Sequence, residues 1–548
     1  MTELCFPVRT SVKFALLVLA LVLVCPLASG EIETGRDTQP PNVVFIITDD
    51  MMPWMFNFLN DGSNRVLTPN IDRLAAEGTV MMGQHVVSPV CTPSRYNCLT
   101  GRYSSRATSQ QFARDTKSAG QTVVQWNTFI VPGEDCLPQS LQQAGYTTGM
   151  VGKNHVVEVG GLNKPEWESN PRDPGVKGVL LDNARIVENA VKASGFDYAE
   201  NLYHNNPAHN GVRELAVHNM DWITSAGLDF IDQNADQPFF LYFATTIPHG
   251  PQADAYAWNA DPTATAEGYL DQPLDVLPPR DSIPERLEKA GLQAGGNVGN
   301  VLWLDDAVGA IMDRLEKHGI DDNTIVVFFN DHGQMAKGTV YQGGVHNPSI
   351  VWKKAPFSAG PLNETLVSNI DFAPTILDWC GVDYEVEDFD GRSFASVLEG
   401  DRKEIHSSLY FELGYLRGVR KGDLKYVALR YPPDALSLSL EERQRRLDRL
   451  NKDLVRRGRP IITTDPNAPF SQLQLIPGGG DAENRSTRMY PAYHDADQLY
   501  DLSNDPGEQF NLAMRPQWKD ALAEMKAELQ AHLADLPGDF AELKRNPK

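Results

Sequence analysis

Three acidic positions, a cysteine–arginine pair and a scatter of lysines and histidines are the residues of this chain that can do chemistry. Asp49 and Asp50 are adjacent, Asp331 is followed by His332, and Cys91 opens the stretch CTPSRYNCLTGR, which carries Arg95. Lys153, His155, His249 and Lys337 complete the set. Gathered at one place, the three carboxylates would repel one another strongly or force a proton onto one of them. A hard divalent cation removes that conflict, and oxygen-rich ligation favours Ca2+ or Mg2+ over softer metals. Around an anion bound to such a cation, Arg95, Lys153, His155, His249 and Lys337 neutralise oxyanion charge and protonate a leaving oxygen. Each pattern alone has a plainer reading. Asp-Asp and Asn-Asp-His-Gly make ordinary turns, and a single lysine or histidine is more often a surface or satisfied core residue.

Cys91 poses a separate question. The run from Pro93 to Gly101 predicts a helix, with Cys91 just before its N-terminus, where a negative atom is favoured. A thiolate nucleophile suits that position, and a disulfide to Cys98 is the rival reading. Soft sulfur is a poor partner for a hard cation, so the residues alone leave the purpose of Cys91 open.

These groups need a frame that converges them. Asn42–Thr48 (NVVFIIT) is a short apolar run rich in β-branched residues, which predicts a buried, parallel strand. Thr68-Pro69-Asn70 introduces a capped helix with Gly78 just past its end. Residues 137–146, 211–234, 300–318 and 371–381 predict helices, and 147–153, 238–246 and 324–330 predict strands. The alternation gives an α/β domain, a mainly parallel sheet with helices on both faces. Ligands of such sheets gather beyond the carboxyl ends of the strands. There stand Asp49 and Asp50 after the first strand, Lys153 and His155 after the second, His249 after the third, and Asp331, His332 and Lys337 after the fourth.

The chain has 548 residues, 41% of them hydrophobic, enough for a large domain and a smaller one. Its net charge of −23 argues against a nucleic-acid partner, whose phosphates it would repel. Arg9 and Lys13, the apolar run Phe14–Val24 and the small residues before Glu31 predict a secretory signal peptide over 1–30. The run is short of the ~20 residues that span a bilayer, so an exported protein, periplasmic or secreted and without stable membrane insertion, is expected. Residues 31–41 read as a polar leader, 42–415 as the catalytic domain and 416–548 as a C-terminal subdomain of short strands. Cys98, Cys136 and Cys380 remain beside Cys91 after cleavage, and their pairing cannot be read from spacing. Residues 157–212, rich in Asn, Gly and Pro, predict an inserted set of loops over the site. Those loops include His204, Asn205, Asn206 and His209. A charged helix is expected over 439–458.

The stretch CTPSRYNCLTGR resembles the signature of the sulfatase family, C-x-P-S-R followed by T-G-R, within the alkaline-phosphatase-like superfamily. NVVFIITDD, MVGKNH, NDHG with KGTVYQGG behind it, and LYDLSNDPGEQFNLA are similar to further blocks of that family, in the same order. The resemblance implies a large mainly parallel sheet with helices on both faces, plus a smaller C-terminal α+β subdomain with a short antiparallel sheet. It implies that a formylglycine-generating maturation enzyme converts Cys91 to Cα-formylglycine, whose hydrated form offers hard hydroxyls to Ca2+, with Mg2+ less favoured. It makes Asp49, Asp50, Asp331, His332 and the oxidised residue 91 the metal ligands. One hydroxyl of residue 91 would attack sulfur. Arg95 would hold that residue at the metal, Lys153 and Lys337 would bind sulfate oxygens, His249 would serve the leaving oxygen, and His155 would take the proton of the second hydroxyl. In GGVHNP, His346 stands where the family often has Arg, so no role carries over to it. The expected substrate is a sulfate ester, on a carbohydrate or a small aryl compound. A phosphonate or phosphodiester hydrolase of the same superfamily, or a non-catalytic binder of sulfated glycans, is the alternative.

Overall fold

The computed structural model describes residues 39–544 apart from 60, 61, 63, 251–255, 462, 469–474 and 477–479. The expected signal peptide and most of the leader lie outside the described residues. No helix among the described residues is long and apolar enough to cross a membrane.

The principal strands are β1 (Asn42–Asp49), β2 (Thr79–Met81), β3 (Thr147–Lys153), β4 (Tyr198–Tyr203), β5 (Phe239–Pro248), β6 (Thr324–Asn330), β7 (Ser349–Trp352) and β8 (Leu362–Asn363). They form one eight-stranded sheet in the order β8-β2-β7-β6-β1-β5-β3-β4. Only β7 runs against the rest. The principal helices are α1 (Pro69–Glu77), α2 (Cys91–Thr100), α3 (Leu137–Gln143), α4 (Pro174–Lys192), α5 (Met220–Asn234), α6 (Asn297–His318), α7 (Phe372–Trp379), α8 (Leu440–Arg456) and α9 (Lys519–Asp535). A second, four-stranded antiparallel sheet follows, built of β9 (Leu409–Leu413), β10 (Leu416–Lys421), β11 (Leu424–Leu429) and β12 (Asp497–Asp501). Met525, Leu529 and Leu533 of α9 pack on its face.

The unbroken apolar run of β1 has a simple cause. Side chains alternate across a strand, so Val43, Phe45 and Ile47 enter one core with Leu99 of α2 and Phe372 of α7, while Val44 and Ile46 enter another with Trp222 of α5 and Ile311 of α6. A strand covered on both faces is apolar through its middle, Val43–Ile47 here. The polar residues at its two ends are bonded, Asn42 to Thr324 Oγ1 at 3.3 Å and Thr48 to Asn330 Oδ1 at 3.2 Å, and the first charge is Asp49.

Three expectations about elements change. The helix foreseen over 211–234 begins only at Met220, where the Asn219 side chain accepts from the Trp222 amide at 3.1 Å. Short 3-10 turns, Pro207–Asn210 and Arg213–Leu215, occupy the stretch before it. The segment 157–212 is not a set of loops. It holds the 19-residue α4 and the edge strand β4. Asp173 caps α4 by accepting from Gly175 at 2.8 Å, with Pro174 in its first turn. Cys91 is the first residue of α2 rather than the residue before it, because Val90 is the N-cap.

The cap of α1 comes from elsewhere in the chain. Thr68 makes no side-chain bond to a helix amide. Instead the fully buried Asp305 of α6 accepts from the amides of Asn70 (3.0 Å) and Ile71 (2.8 Å), and from Asn70 Nδ2 (2.8 Å). Asp305→Ala would strand these donors in the interior. We expect a loss of about 2–3 kcal/mol, read as a lower denaturation midpoint at an unchanged slope.

Candidate active site

The four strands whose carboxyl ends carry the chemistry-bearing residues, β6, β1, β5 and β3, are consecutive neighbours in the sheet. Neighbouring strands lie ~4.8 Å apart, so their terminal residues fall within reach of one another. Asp50 turns the chain out of β1 with φ of 67°, a left-handed conformation that Asp tolerates better than most residues. Asn330, at the end of β6, locks that turn: its Oδ1 accepts from the Met51 amide at 2.9 Å and its Nδ2 donates to the Met51 carbonyl at 3.2 Å. At the end of β3, Gly152 has φ of 83° and sits where a Cβ would lie 1.9 Å from the Ala244 carbonyl oxygen of β5. Only glycine fits that approach, and it aims Lys153 into the cluster.

Helix α2 meets these strand ends with its first turn. Its residues 91 and 95 share one face. Cys91 Sγ lies 3.5 Å from Asp49 Oδ1, 3.7 Å from His332 Nε2 and 3.6 Å from Lys337 Nζ. Arg95 is fully buried, with its guanidinium 3.3 Å from Asp331 Oδ2 and 3.9 Å from Asp49 Oδ1. Ser94 donates to the Asp331 carbonyl, and Asn369 donates to the Ser94 carbonyl at 3.1 Å and to its hydroxyl at 3.0 Å, which pins the helix turn.

Each carboxylate faces a cation. Lys153 pairs with Asp49, and Lys337 Nζ lies 2.6 Å from Asp50 Oδ1. His332 Nε2 lies 3.1 Å from Asp50 Oδ1 and 3.5 Å from Asp331 Oδ1, and His249 Nε2 lies 3.4 Å from Asp50 Oδ2. Burial alone would raise the pKa values of Asp49 and Asp50. Lys153, His249 and Arg95 around the first, and Lys337, His249 and His332 around the second, reverse this and hold both well below the usual carboxylate range. For His332, burial works against the charged form, but Asp331 and the hydrogen bond to Asp50 lift the pKa to about 10. Burial pushes the Cys91 thiol up, so the sulfur is not held as a thiolate.

Asp49, Asp50, Cys91 and His249 place one donor atom each within 4.8 Å of one another, and so do Asp50, Cys91, Asp331 and His332. The three carboxylates, Asp49, Asp50 and Asp331, outnumber the two imidazoles and make an oxygen-rich donor set of the kind a hard divalent cation takes. The fold thus brings Asp49, Asp50, Cys91, Arg95, Lys153, His249, Asp331, His332 and Lys337 into one cluster. His155 stands beside it, its Nε2 hydrogen-bonded at 3.0 Å to the hydroxyl of Thr92, the residue after Cys91. His346 is elsewhere employed: it donates to the Met82 carbonyl at 2.7 Å and packs against His85. Among the described residues, Cys91, Cys98, Cys136 and Cys380 are buried and free, so no disulfide joins them.

A family model described as Sulfatase matches residues 41–382. The chain belongs to the sulfatase family. As such it is a sulfuric ester hydrolase. This sulfatase is 26% identical over 533 residues to the N-acetylgalactosamine-6-sulfatase of Mus musculus, covering 91% of its own length and 88% of the relative's. It is 24% identical over 539 residues to the ulvan-active sulfatase of Formosa agariphila, covering 92% of itself and 76% of that protein. A solved structure described as in complex with its substrate D-glucosamine-2-N,6-O-disulfate shares the fold of the sulfatase, with a TM-score of 0.56 at 18% identity, over 90% of this chain and 98% of the other.

One member of the sulfatase cluster escaped reading by motif. Asn206 accepts from Lys153 Nζ at 2.6 Å and lies 3.1 Å from His249 Nε2 through its Nδ2. It follows β4, the edge strand next to β3. No local signal marks it: Tyr198–Tyr203 reads YAENLY, with apolar residues in pairs on either side of Glu200 and Asn201 and without the alternation of a half-buried strand.

Proposed function

We propose that this protein is an exported sulfatase that hydrolyses sulfate esters of carbohydrates, with Cys91 matured to formylglycine and with Ca2+ at the carboxylate cluster. The observation that carries the reading is the position of Cys91. It opens a helix among three carboxylates and two ammonium groups, where a hard oxygen would be at home and the raised pKa of a thiol is of no use. The names of the relatives, which include sulfatases of hexosamine 6-sulfates and of ulvan, support a sulfated saccharide as substrate.

Asp49, Asp50, Asp331 and His332, with the oxidised residue 91, would hold the cation. When bound it supplies Lewis-acid polarisation and charge neutralisation at the sulfate, and the aldehyde at position 91 supplies, once hydrated, a hydroxyl nucleophile. The chain's own groups do the remaining work. Arg95, buried between Asp49 and Asp331, keeps its charge and fixes residue 91 against those carboxylates. Lys153 and Lys337 already face the Asp49, Asp50 and Cys91 atoms, so with a cation on the carboxylates their ammonium groups are available to sulfate oxygens. His249 holds a proton on Nδ1, which donates to the Gly250 carbonyl at 2.9 Å, and turns Nε2 toward the cluster; Nε2 would serve the leaving oxygen once it has itself taken up a proton. Burial lowers the pKa of His155, so it is a neutral base beside residue 91, ready to take a hydroxyl proton.

A panel of defined sulfated saccharides, an aryl sulfate and a phosphodiester, scored side by side, tests this reading. We expect sulfate release from a sulfated saccharide to have the highest kcat/KM. A phosphodiester turned over faster than every sulfate ester would place the enzyme with the phosphonate and phosphodiester hydrolases instead. Saccharide binding without any turnover, by a chain whose Cys91 is never oxidised in a competent host, would make it a binder.

A further inference from the structure

The block LYDLSNDPGEQFNLA holds a residue to which the catalytic cluster gives no role. Glu508, which follows β12, is buried, and its backbone has φ of 54°, a left-handed conformation that residues with a β-carbon rarely adopt. Its Oε1 lies 2.7 Å from Nζ of Lys425 on β11, which is fully buried as well. Its Oε2 accepts from the amide of Gln342 at 2.5 Å, and Lys425 Nζ donates to the side-chain oxygen of Gln342 at 3.3 Å. Burial pushes the Glu508 carboxyl up and the Lys425 ammonium down to about 8, so both charges are held against the environment. A buried ion pair is weak evidence of a gain in stability. Backbone strain of this kind persists where the surroundings over-determine it, and it clusters at functional sites.

Gln342 opens a four-residue helical turn, Gln342–Val345, and that turn seats the loop carrying His332 and Lys337. The Gly333 amide donates to the Gly344 carbonyl at 2.9 Å, and the Ala336 amide to the Gly343 carbonyl at 2.9 Å. The two segments touch without slack. A Cβ at position 344 would lie 2.2 Å from the Thr339 carbonyl oxygen, and one at 333 would lie 2.7 Å from that of Gly343. Gly338, just past Lys337, donates to the Pro89 carbonyl at 3.0 Å, two residues before Cys91. A shift of the turn is therefore passed to Lys337, whose Nζ lies 2.6 Å from Asp50 Oδ1 and 3.6 Å from Cys91 Sγ. The residue before the turn is gripped too: Tyr341 stacks on Tyr490 with ring centroids 3.8 Å apart and donates to Gln498 of β12 at 2.7 Å. We propose that Glu508 is a positioning residue: by accepting from the Gln342 amide it fixes the turn, and through the turn it sets Lys337 where sulfate oxygens bind, with Lys425 holding its carboxylate in place. This role rests on the reading of Lys337 given above and adds to it a residue from the far end of the chain.

Glu508→Ala alone leaves Lys425 buried without its partner, and a protein that fails to fold is foreseen. The test therefore compares two charge-free double variants of the full chain. Lys425→Met/Glu508→Gln keeps a carbonyl oxygen for the Gln342 amide; Lys425→Met/Glu508→Met removes it at similar side-chain size. Both are assayed with Ca2+, where thermal unfolding shows them folded, on whichever ester of the panel above the wild type hydrolyses fastest. The glutamine double should keep kcat/KM within about threefold of the wild type, and the methionine double should lose about ten- to a hundredfold. With Lys337→Ala added to each, the two should turn over equally, because a residue that acts through Lys337 has nothing left to place. A general structural role would slow the methionine double in both backgrounds. Hydrogen exchange of the peptide 333–346 needs no turnover: it should be faster in the methionine double than in the glutamine double, with β1 and β6 unchanged. Equal rates in the two doubles, a difference that survives Lys337→Ala, or equal exchange of 333–346 would overturn the proposal. A wild type that hydrolyses no sulfate ester counts against the sulfatase reading, while the exchange measurement still judges the anchor.

Discussion

Cys91→Ala is expected to abolish sulfate-ester turnover, with kcat falling by at least about a thousandfold, as for loss of a covalent nucleophile. The substitution removes one sulfur atom from a buried position and keeps the Cβ, so α2 retains its first turn. Its bonds from Ser94 to Asp331 and from Asn369 to Ser94 do not involve the thiol. Stability should change by less than about 2 kcal/mol. Turnover assays paired with thermal unfolding separate the two effects. Mass spectrometry of the wild-type peptide around residue 91 provides an independent check, since an aldehyde is lighter than the thiol it replaces. A Cys91→Ala enzyme that keeps its rate would remove the basis of the proposed mechanism, whatever the metal content.

The second large effect concerns the cation. Asp331→Asn keeps the shape of the side chain and removes one of the three carboxylate charges. Its oxygens accept from the Asp50 amide at 3.3 Å and face Arg95 and His332. Neutralising it weakens the cation site and leaves Arg95 with only the more distant Asp49. We expect loss of bound metal by elemental analysis and a fall in kcat of about a thousandfold or more. Breaking one partner of a buried ion pair can cost about 3–5 kcal/mol, so a variant that fails to fold is foreseen, and chelation of the wild type answers the same question without mutation. Activity should vanish with the metal and return with Ca2+ more fully than with Mg2+. Full activity in a metal-free protein would exclude the proposed cofactor.

Local signals made much of this protein legible. NVVFIIT is apolar from Val43 to Ile47 because both of its faces are covered, and the first charges after it, Asp49 and Asp50, mark where the chain leaves the sheet. The same holds for Ile325–Phe329 of TIVVFFN and Asp331, and in TTGMVGK the charge of Lys153 closes the strand. The C-x-P-S-R stretch identified the family before any geometry was in hand. Length and hydrophobic pattern suffice for such elements because each residue's burial there depends on its own strand.

Other features depend on which element packs beside which. That β6, β1, β5 and β3 are neighbours, so that residues 49, 153, 249 and 331 meet, follows from sheet order, which apolar runs of similar composition do not distinguish. Asp305 caps a helix that begins 236 positions earlier, at Pro69. Nothing near Thr68 announces it. Helix α4 hides in a stretch rich in Asn and Gly because it buries only Leu180, Val187 and Val191, although Asp173-Pro174 is a start signal. Asn206 belongs to the site only because β4 joins the sheet next to β3. The sequence by itself determined which residues could share a cation and an oxyanion. Tertiary packing decided what stands around them, because an amide, a histidine or a lysine acquires a partner only when segments distant in the chain are pressed together by the burial of their apolar faces.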